Sequence, residues 1–336
     1  MEQTMSFRNY RFSRELTQKL NHLAVTDNWH ALLGLSTDFT LVALCAWASG
    51  HCYYLYPLAL LIIGARQRGL ATVMHDAAHG RAAKSRHLNN LIGRYLTAFL
   101  IFQSFNAYKH SHVHEHHPYL GDPQKDPDFL FYQDAGLYAV KDRRAFGLEH
   151  VLATLLLFNM PQYIGYLFKH RFGSLVRHKG EALGMFVLWS GLLSAAVWLG
   201  LVQQLLLFWV LPYLTAFMVI GRFIEIAEHY PLLGQSQDGL LLTRNRFSHP
   251  LEGFFLSVHQ ENFHLVHHLR PSIPYWNMEK AHRLMLNDRQ YRQVNAGFGG
   301  VFLSANEVKP LIPALMDGDI ALPPLTTPTY KKEEAV

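Results

Sequence analysis

Residues 182–221 read ALGMFVLWSGLLSAAVWLGLVQQLLLFWVLPYLTAFMVIG, and this stretch decides the fold. It holds no Asp, Glu, Lys or Arg from end to end. A bilayer hydrocarbon core takes roughly 20 helical residues per crossing, so the run is long enough for two. It divides into spans at about 182–200 and 203–221, joined near Leu201–Gln204. A second charge-free run, Phe39 to Ala65, is shorter. It fits a hairpin if helices cover about 32–49, tolerating Asp38, and 52–73, with the turn at Gly50-His51. Arg66 and Arg68 would then lie near the water-facing end of the second helix.

The expected fold is therefore an all-α integral membrane protein with four transmembrane helices in two hairpins and a cytosolic helical cap. The cap would comprise residues 75–180 and 222–322, preceded by an N-terminal interfacial segment 1–30 and followed by a disordered tail 323–336. Composition agrees: 50% of the 336 residues are hydrophobic and 16% charged, with a net charge of +5. The basic residues flank the spans (Arg8, Arg11, Arg14 and Lys19; Arg81, Lys84 and Arg86; Lys169, Arg171, Arg177 and Lys179), while both hairpin turns lack Lys and Arg. By the positive-inside rule the cap and both termini face the cytoplasm, as in a bacterial inner membrane. No signal peptide is evident in the N-terminal segment. Leu88–Phe105 is interrupted by Asn89, Asn90 and Arg94, and reads as an interfacial helix. Val151–Phe168, broken by Asn159, Pro161 and Gln162, reads as interfacial or re-entrant.

The chemistry sits in the histidines. Of 21, eight fall in three clusters: His75 and His79; His112, His116 and His117; His264, His267 and His268. Imidazoles three or four residues apart share a helical face, so each cluster can aim two or three nitrogens at one point. Eight are too many for one tetrahedral zinc and suit two metal ions of higher coordination. An even number of spans between clusters brings all three to one side of the membrane. Within the crowded second cluster only His112 has histidines at both +4 and +5. His114 points away from it, leaving His110 and His114 as second choices, with His259. His22, His30, His51, His87, His150, His170, His178 and His249 are isolated and read as ordinary histidines, and His282 as a helix-surface residue. Asp76, Glu115, Asp126, Asp128, Glu228 and Glu261 stand near enough in sequence to hold the second imidazole nitrogens, although Asp126 and Asp128 equally suit a proline-containing turn. Arg81, Lys84, Arg86 and Lys109 read as ordinary loop charge rather than as a head-group site. The two cysteines, Cys45 and Cys52, exclude a cysteine-ligated zinc or iron–sulfur site.

His75-Asp-Ala-Ala-His79-Gly80, the His112–His117 cluster with Gly-Asp-Pro-Gln-Lys-Asp126-Pro-Asp128, and Asn262-Phe-His264-Leu-Val-His267-His268-Leu-Arg-Pro271 together resemble the three histidine boxes of membrane fatty acid desaturases. The likeness covers roughly residues 30 to 285. It implies a non-haem centre of two iron ions, four transmembrane helices, a cytosolic cap and removal of two hydrogens from a fatty acyl chain with dioxygen as co-substrate. It also implies a ninth ligand after the last span, where Glu228-His229 stands. Iron has the redox states that cleavage of an unactivated C–H bond demands, and zinc does not. The chain carries no haem segment, cysteine cluster or Gly-x-Gly-x-x-Gly fingerprint, so electrons are expected from a carrier such as ferredoxin docking on the cap. A membrane lipid is the other expected partner; no nucleic acid is expected. Carotenoid or lipid ketolases and hydroxylases share these boxes and stay open as an alternative. A metal transporter is remote, because it would want ionisable groups within the spans.

Overall fold

The structure is a computed structural model that describes residues 10–167, 178–233 and 238–321. His170, the basic residues Arg8, Lys169, Arg171 and Arg177, and the tail from 323 lie outside the described residues. Among those described the protein is helical, with one isolated bridge between Ser248 and Ser304 and no strand.

Three helices are long and apolar enough to cross a membrane: His30–His51, Lys179–Leu199 and Val202–His229. Their outer faces carry Leu33, Trp47, Phe186, Val187 and Trp198, the last 85% exposed. Such continuous apolar surface is costly in water and suits lipid. The first helix starts where the Asp27 carboxylate accepts the amides of Trp29 and His30, and it continues through Gly50 and His51. The turn therefore falls at Cys52–Leu55, and the partner helix runs Tyr56–Ala78 with Pro57 in its first turn. Proline fits there because no intrahelical N–H is required.

Tyr56–Ala78 is the centre of the fold rather than an outer span. Gly64 lies so close to the Val202–His229 helix that a Cβ there would sit 2.5 Å from Ala216 Cβ. Gln67 donates to the Trp209 carbonyl at 2.8 Å. Arg66 and Arg68 do not face water: Arg66 Nη1 is 3.6 Å from Asp38, which is 1% exposed, and Arg68 pairs with Glu225 and Glu261. Both guanidiniums turn inward and pair, as buried charges must.

The Val202–His229 helix is longer than the expected 203–221 span. Two π turns, Leu206–Val210 and Tyr213–Phe217, flank Pro212. The helix thereby absorbs a residue that lacks a donor and reaches His229 unbroken. Gly200, in the left-handed region, closes the preceding helix.

The 88–105 stretch is not one interfacial helix. It breaks into Arg86–Leu91, a π segment Ile92–Thr97 and a 3-10 turn Ala98–Ile101, with Ile92, Ala98, Phe99 and Ile101 at most 1% exposed. The carbonyls freed at the break are used: Trp189 Nε1 donates to Phe99 at 2.7 Å and Trp209 Nε1 to Leu100 at 2.9 Å. Likewise Ala153–Leu155 and Met160–Leu167 are separated by Leu157, whose φ is positive, and among the described residues neither is long enough to cross. Near the N-terminus, Arg14–Leu23 is capped by Ser13 and buries Leu16 and Leu20.

Candidate metal centre

Four elements deliver the nine histidines. Tyr56–Ala78 carries His75 in its last turn and His79 just past its end. His110–His116 is a π helix, and the His117 amide bonds the His112 carbonyl five residues back at 3.1 Å. That i to i+5 register brings His117 alongside His112, whereas His114 points out to solvent. The Val202–His229 helix ends on His229 itself. The third cluster lies on His264–Leu269. The first amides of this helix have no partner within it, and Asn245 Oδ1 accepts those of Leu265 and Val266 at 3.1 and 3.3 Å.

The nine converge as two adjoining groups. His75, His79, His112, His117 and His267 form one, and His116, His229, His264 and His268 the other; within each, one nitrogen per ring lies within 4.8 Å of all the others. The Nε2 atoms of His117 and His112 are 3.0 Å apart, His267 and His117 2.9 Å, His264 and His229 3.1 Å, and His268 and His264 3.0 Å.

Four of the opposite nitrogens face oxygen acceptors. His116 Nδ1 is 2.9 Å from Asp126, which is fully buried, and 3.5 Å from Asp128. His229 Nδ1 donates to the Leu242 carbonyl at 3.1 Å. His264 Nδ1 is 3.4 Å from Glu228, and His75 Nδ1 3.5 Å from Asp76. Asp126 serves both expected roles, since it also accepts the amides of Gly121, Asp128 and Phe129 and so starts the Pro127–Asp134 helix.

This arrangement fits metal. With Nδ1 protonated toward an oxygen acceptor, His229 and His264 present Nε2 lone pairs to each other across 3.1 Å, which repel unless a cation lies among them. The Nε2 atoms of His75 and His79 are buried with no partner. Burial, and then the neighbouring imidazoles, hold His79, His112, His117, His264, His267 and His268 well below the ordinary histidine range. These rings are therefore neutral and ligand-competent. His116 differs. Burial lowers it too, but Asp126, aided by Asp128 and Glu228, outweighs burial and raises it to about 9. Asp76, Asp126, Asp128 and Glu228 place carboxylates on this side, Glu228 shared with Arg246 at 3.8 Å.

The other described histidines fall outside both groups. His110 pairs on the surface with Glu115, which therefore orients no clustered ring. His259 binds Asp38 at 2.6 Å. His282 is not a surface residue: it is 8% exposed, with Nδ1 2.8 Å from the Tyr291 hydroxyl. Glu261 holds Arg68 rather than a histidine.

A cavity of about 110 Å³ adjoins both groups, lined by His75, His112, His116, His229, His264 and His267 on the metal side. Its remaining wall includes Arg68, Glu225, Glu261, Gln103 and the tyrosines Tyr108, Tyr132, Tyr163 and Tyr166. No local motif announced these residues. The Arg68–Glu261 contact spans 193 positions, and the Leu242 acceptor is a main-chain atom that any residue could supply.

Comparison with known proteins agrees with this geometry. The family model for fatty acid desaturases matches residues 53–298. Dihydrorhizobitoxine desaturase of Bradyrhizobium elkanii is 38% identical over 310 residues, covering 90% of this chain and 88% of the relative. An sn-1 acyl-lipid omega-3 desaturase (ferredoxin) of Synechocystis is 27% identical, over 68% of this chain and 67% of the relative. Zeaxanthin 4-ketolase of Chlamydomonas reinhardtii is 24% identical over 64% of this chain, which spans 41% of that protein.

Proposed function

Because this chain belongs to the fatty acid desaturase family and is an oxidoreductase, we propose that it carries out oxygen-dependent desaturation of an aliphatic segment at a centre of two iron ions. His75, His79, His112, His117 and His267 would hold one ion, and His116, His229, His264 and His268 the other. The observation that carries this reading is the meeting of nine imidazoles in two groups beside a shared cavity.

When bound, iron supplies the oxidising power that an unactivated C–H bond requires. The stoichiometry takes two hydrogens from adjacent carbons, with two electrons and two protons from outside, and reduces dioxygen to two waters. The residues of the chain do the rest. Asp126, Glu228, Asp76 and the Leu242 carbonyl fix ring tautomer and orientation, which raises the basicity of the ligating nitrogens. The burial of the site keeps bulk water from the oxidant. The chain shows no motif for an electron carrier of its own, and ferredoxin, named for the Synechocystis relative, is the class of donor we assign.

The same reading places Tyr56–Ala78 as a fourth crossing, with both hairpins delivering the clusters to the cytoplasmic side. The acyl chain is the substrate class the family implies. The 38%-identical relative is named for dihydrorhizobitoxine and not for an acyl lipid, so the cavity of this chain decides its own substrate.

The test is expression in a host of simple composition, with mass spectrometry of lipids and soluble metabolites. Loss of two hydrogens from a product that disappears in His267→Ala supports desaturation. Gain of an oxygen atom, as a ketolase or hydroxylase would give, overturns it.

A further inference from the structure

We propose that the substrate of this site carries a cationic amine, seated against Glu261 and Gln103 on the cavity wall. The proposal rests on the desaturase reading above and names the substrate class for it.

Arg68 reaches from the Tyr56–Ala78 helix and places Nε at 3.0 Å and Nη2 at 2.8 Å from the same oxygen, Glu261 Oε1. Its Nη1 is 3.6 Å from Glu225. One guanidinium thus faces two carboxylates, all on side chains no more than 23% exposed. Glu225 meets its hydrogen-bonding needs from neutral donors, the hydroxyls of Tyr163 at 3.0 Å and Tyr132 at 3.1 Å, which bring no charge. Among the described residues Arg68 is the one cation within ion-pair distance of either carboxylate, while Arg222, buried against Tyr132, attracts Glu225 from farther off, and desolvated charges are costly unless paired. Neither Glu225 nor Glu261 belongs to either imidazole group. Among the described residues lining the cavity, Arg68 is the one Arg or Lys.

Glu261 Oε2 is buried without a hydrogen-bond partner, on a side chain 9% exposed. Gln103 Oε1, on a residue 6% exposed, is in the same condition. Both residues line the cavity. Buried acceptors left unpaired forfeit their solvation with no return, so native proteins satisfy them. A ligand that donates hydrogen bonds and carries positive charge meets both requirements, and an ammonium has three donors and no acceptor. A carboxylate or phosphate would meet neither and would add to the excess negative charge. The cavity, about 110 Å³, also suits a compact molecule.

The test uses the iron-loaded, full-length protein in detergent and titrates n-butylamine, n-butanol and butyrate by calorimetry. The expected result is that the amine binds at least tenfold more tightly than the alcohol or the acid. Glu261→Gln and Gln103→Leu should each erode that preference severalfold. Gln103→Leu leaves the Arg68 ion pairs intact, so it reports even if Glu261→Gln folds poorly. Butyrate binding as tightly as butylamine, or a preference unchanged in Gln103→Leu and in folded Glu261→Gln, would overturn the proposal. Amine preference without oxygen-dependent unsaturation would overturn the reaction and leave this site standing. Unsaturation of a host lipid without amine preference would do the reverse.

Discussion

Asp126→Asn perturbs the carboxylate that holds the ring of His116, one of the proposed ligands. The buried carboxylate accepts four hydrogen bonds: Oδ1 from His116 Nδ1 at 2.9 Å and from the Asp128 and Phe129 amides at 3.0 and 3.3 Å, and Oδ2 from the Gly121 amide at 2.9 Å. Asparagine can keep the first three with its one oxygen, so the helix cap survives. Its amide nitrogen then meets the Gly121 N–H donor to donor, at about 1–3 kcal/mol of stability. The charge that draws the His116 Nδ1 proton is lost as well. Loss of such an outer partner lowers metal affinity about 10- to 100-fold, or roughly 1.4–2.7 kcal/mol. The effect should fall on the group containing His116 and spare the group containing His75. Iron retained after dialysis against a graded chelator series should therefore drop from two per chain toward one at chelator strengths the native protein withstands. Equal loss of both ions, or affinity within twofold of the native protein, would refute the reasoning.

Three further outcomes follow from packing and charge. Gly64→Ala forces a methyl to within 2.5 Å of Ala216 Cβ and 2.6 Å of the Phe217 nitrogen. Overpacking of this kind costs about 1–3 kcal/mol, read as a lower melting temperature in detergent. Arg68→Met leaves Glu225 and Glu261 without their cation in the interior. Breaking a buried pair from one side costs about 3–5 kcal/mol, read as low recovery of folded protein, and an unchanged melting temperature would show that the charges are solvated. Burial lowers His282 from 6.5 to about 4, so the unfolded chain takes up its proton first as pH falls. Its contribution is complete above pH 6.5 and is lost progressively toward about pH 4, and His282→Gln should flatten the melting temperature between those values.

Much of the fold was legible because charge is excluded from lipid. The expected spans 32–49 and 182–200 lie close to His30–His51 and Lys179–Leu199. What the pattern could not show was the inside of the bundle. Asp38, Arg66 and Arg68 read as tolerated or water-facing charges, and they are buried partners of residues elsewhere in the bundle. The helix ending at His229 outran its apolar stretch because Glu225 and Glu228 face the site and not lipid.

The site was legible wherever spacing carries it. All nine histidines named from their clusters and from the family likeness meet in the two groups. Asp126 lies near its ring, His116, along the chain, whereas Glu228 stands beside His229 in sequence and reaches His264 through space. Leu242 and Asn245 were out of reach, since one acts through its carbonyl and the other caps a helix 20 residues away. His282 misled because its helix, Met278–Met285, looks polar by composition yet buries Met278, Ala281, His282 and Met285 on one face.

The central claim is that the two groups of imidazoles hold two iron ions that power desaturation. Iron per chain in a preparation making unsaturated product with dioxygen and reduced ferredoxin tests it most directly. Two irons per chain are expected, with activity and iron lost together in His267→Ala and in His264→Ala. Full activity with less than one iron per chain, or with zinc in its place, would contradict it.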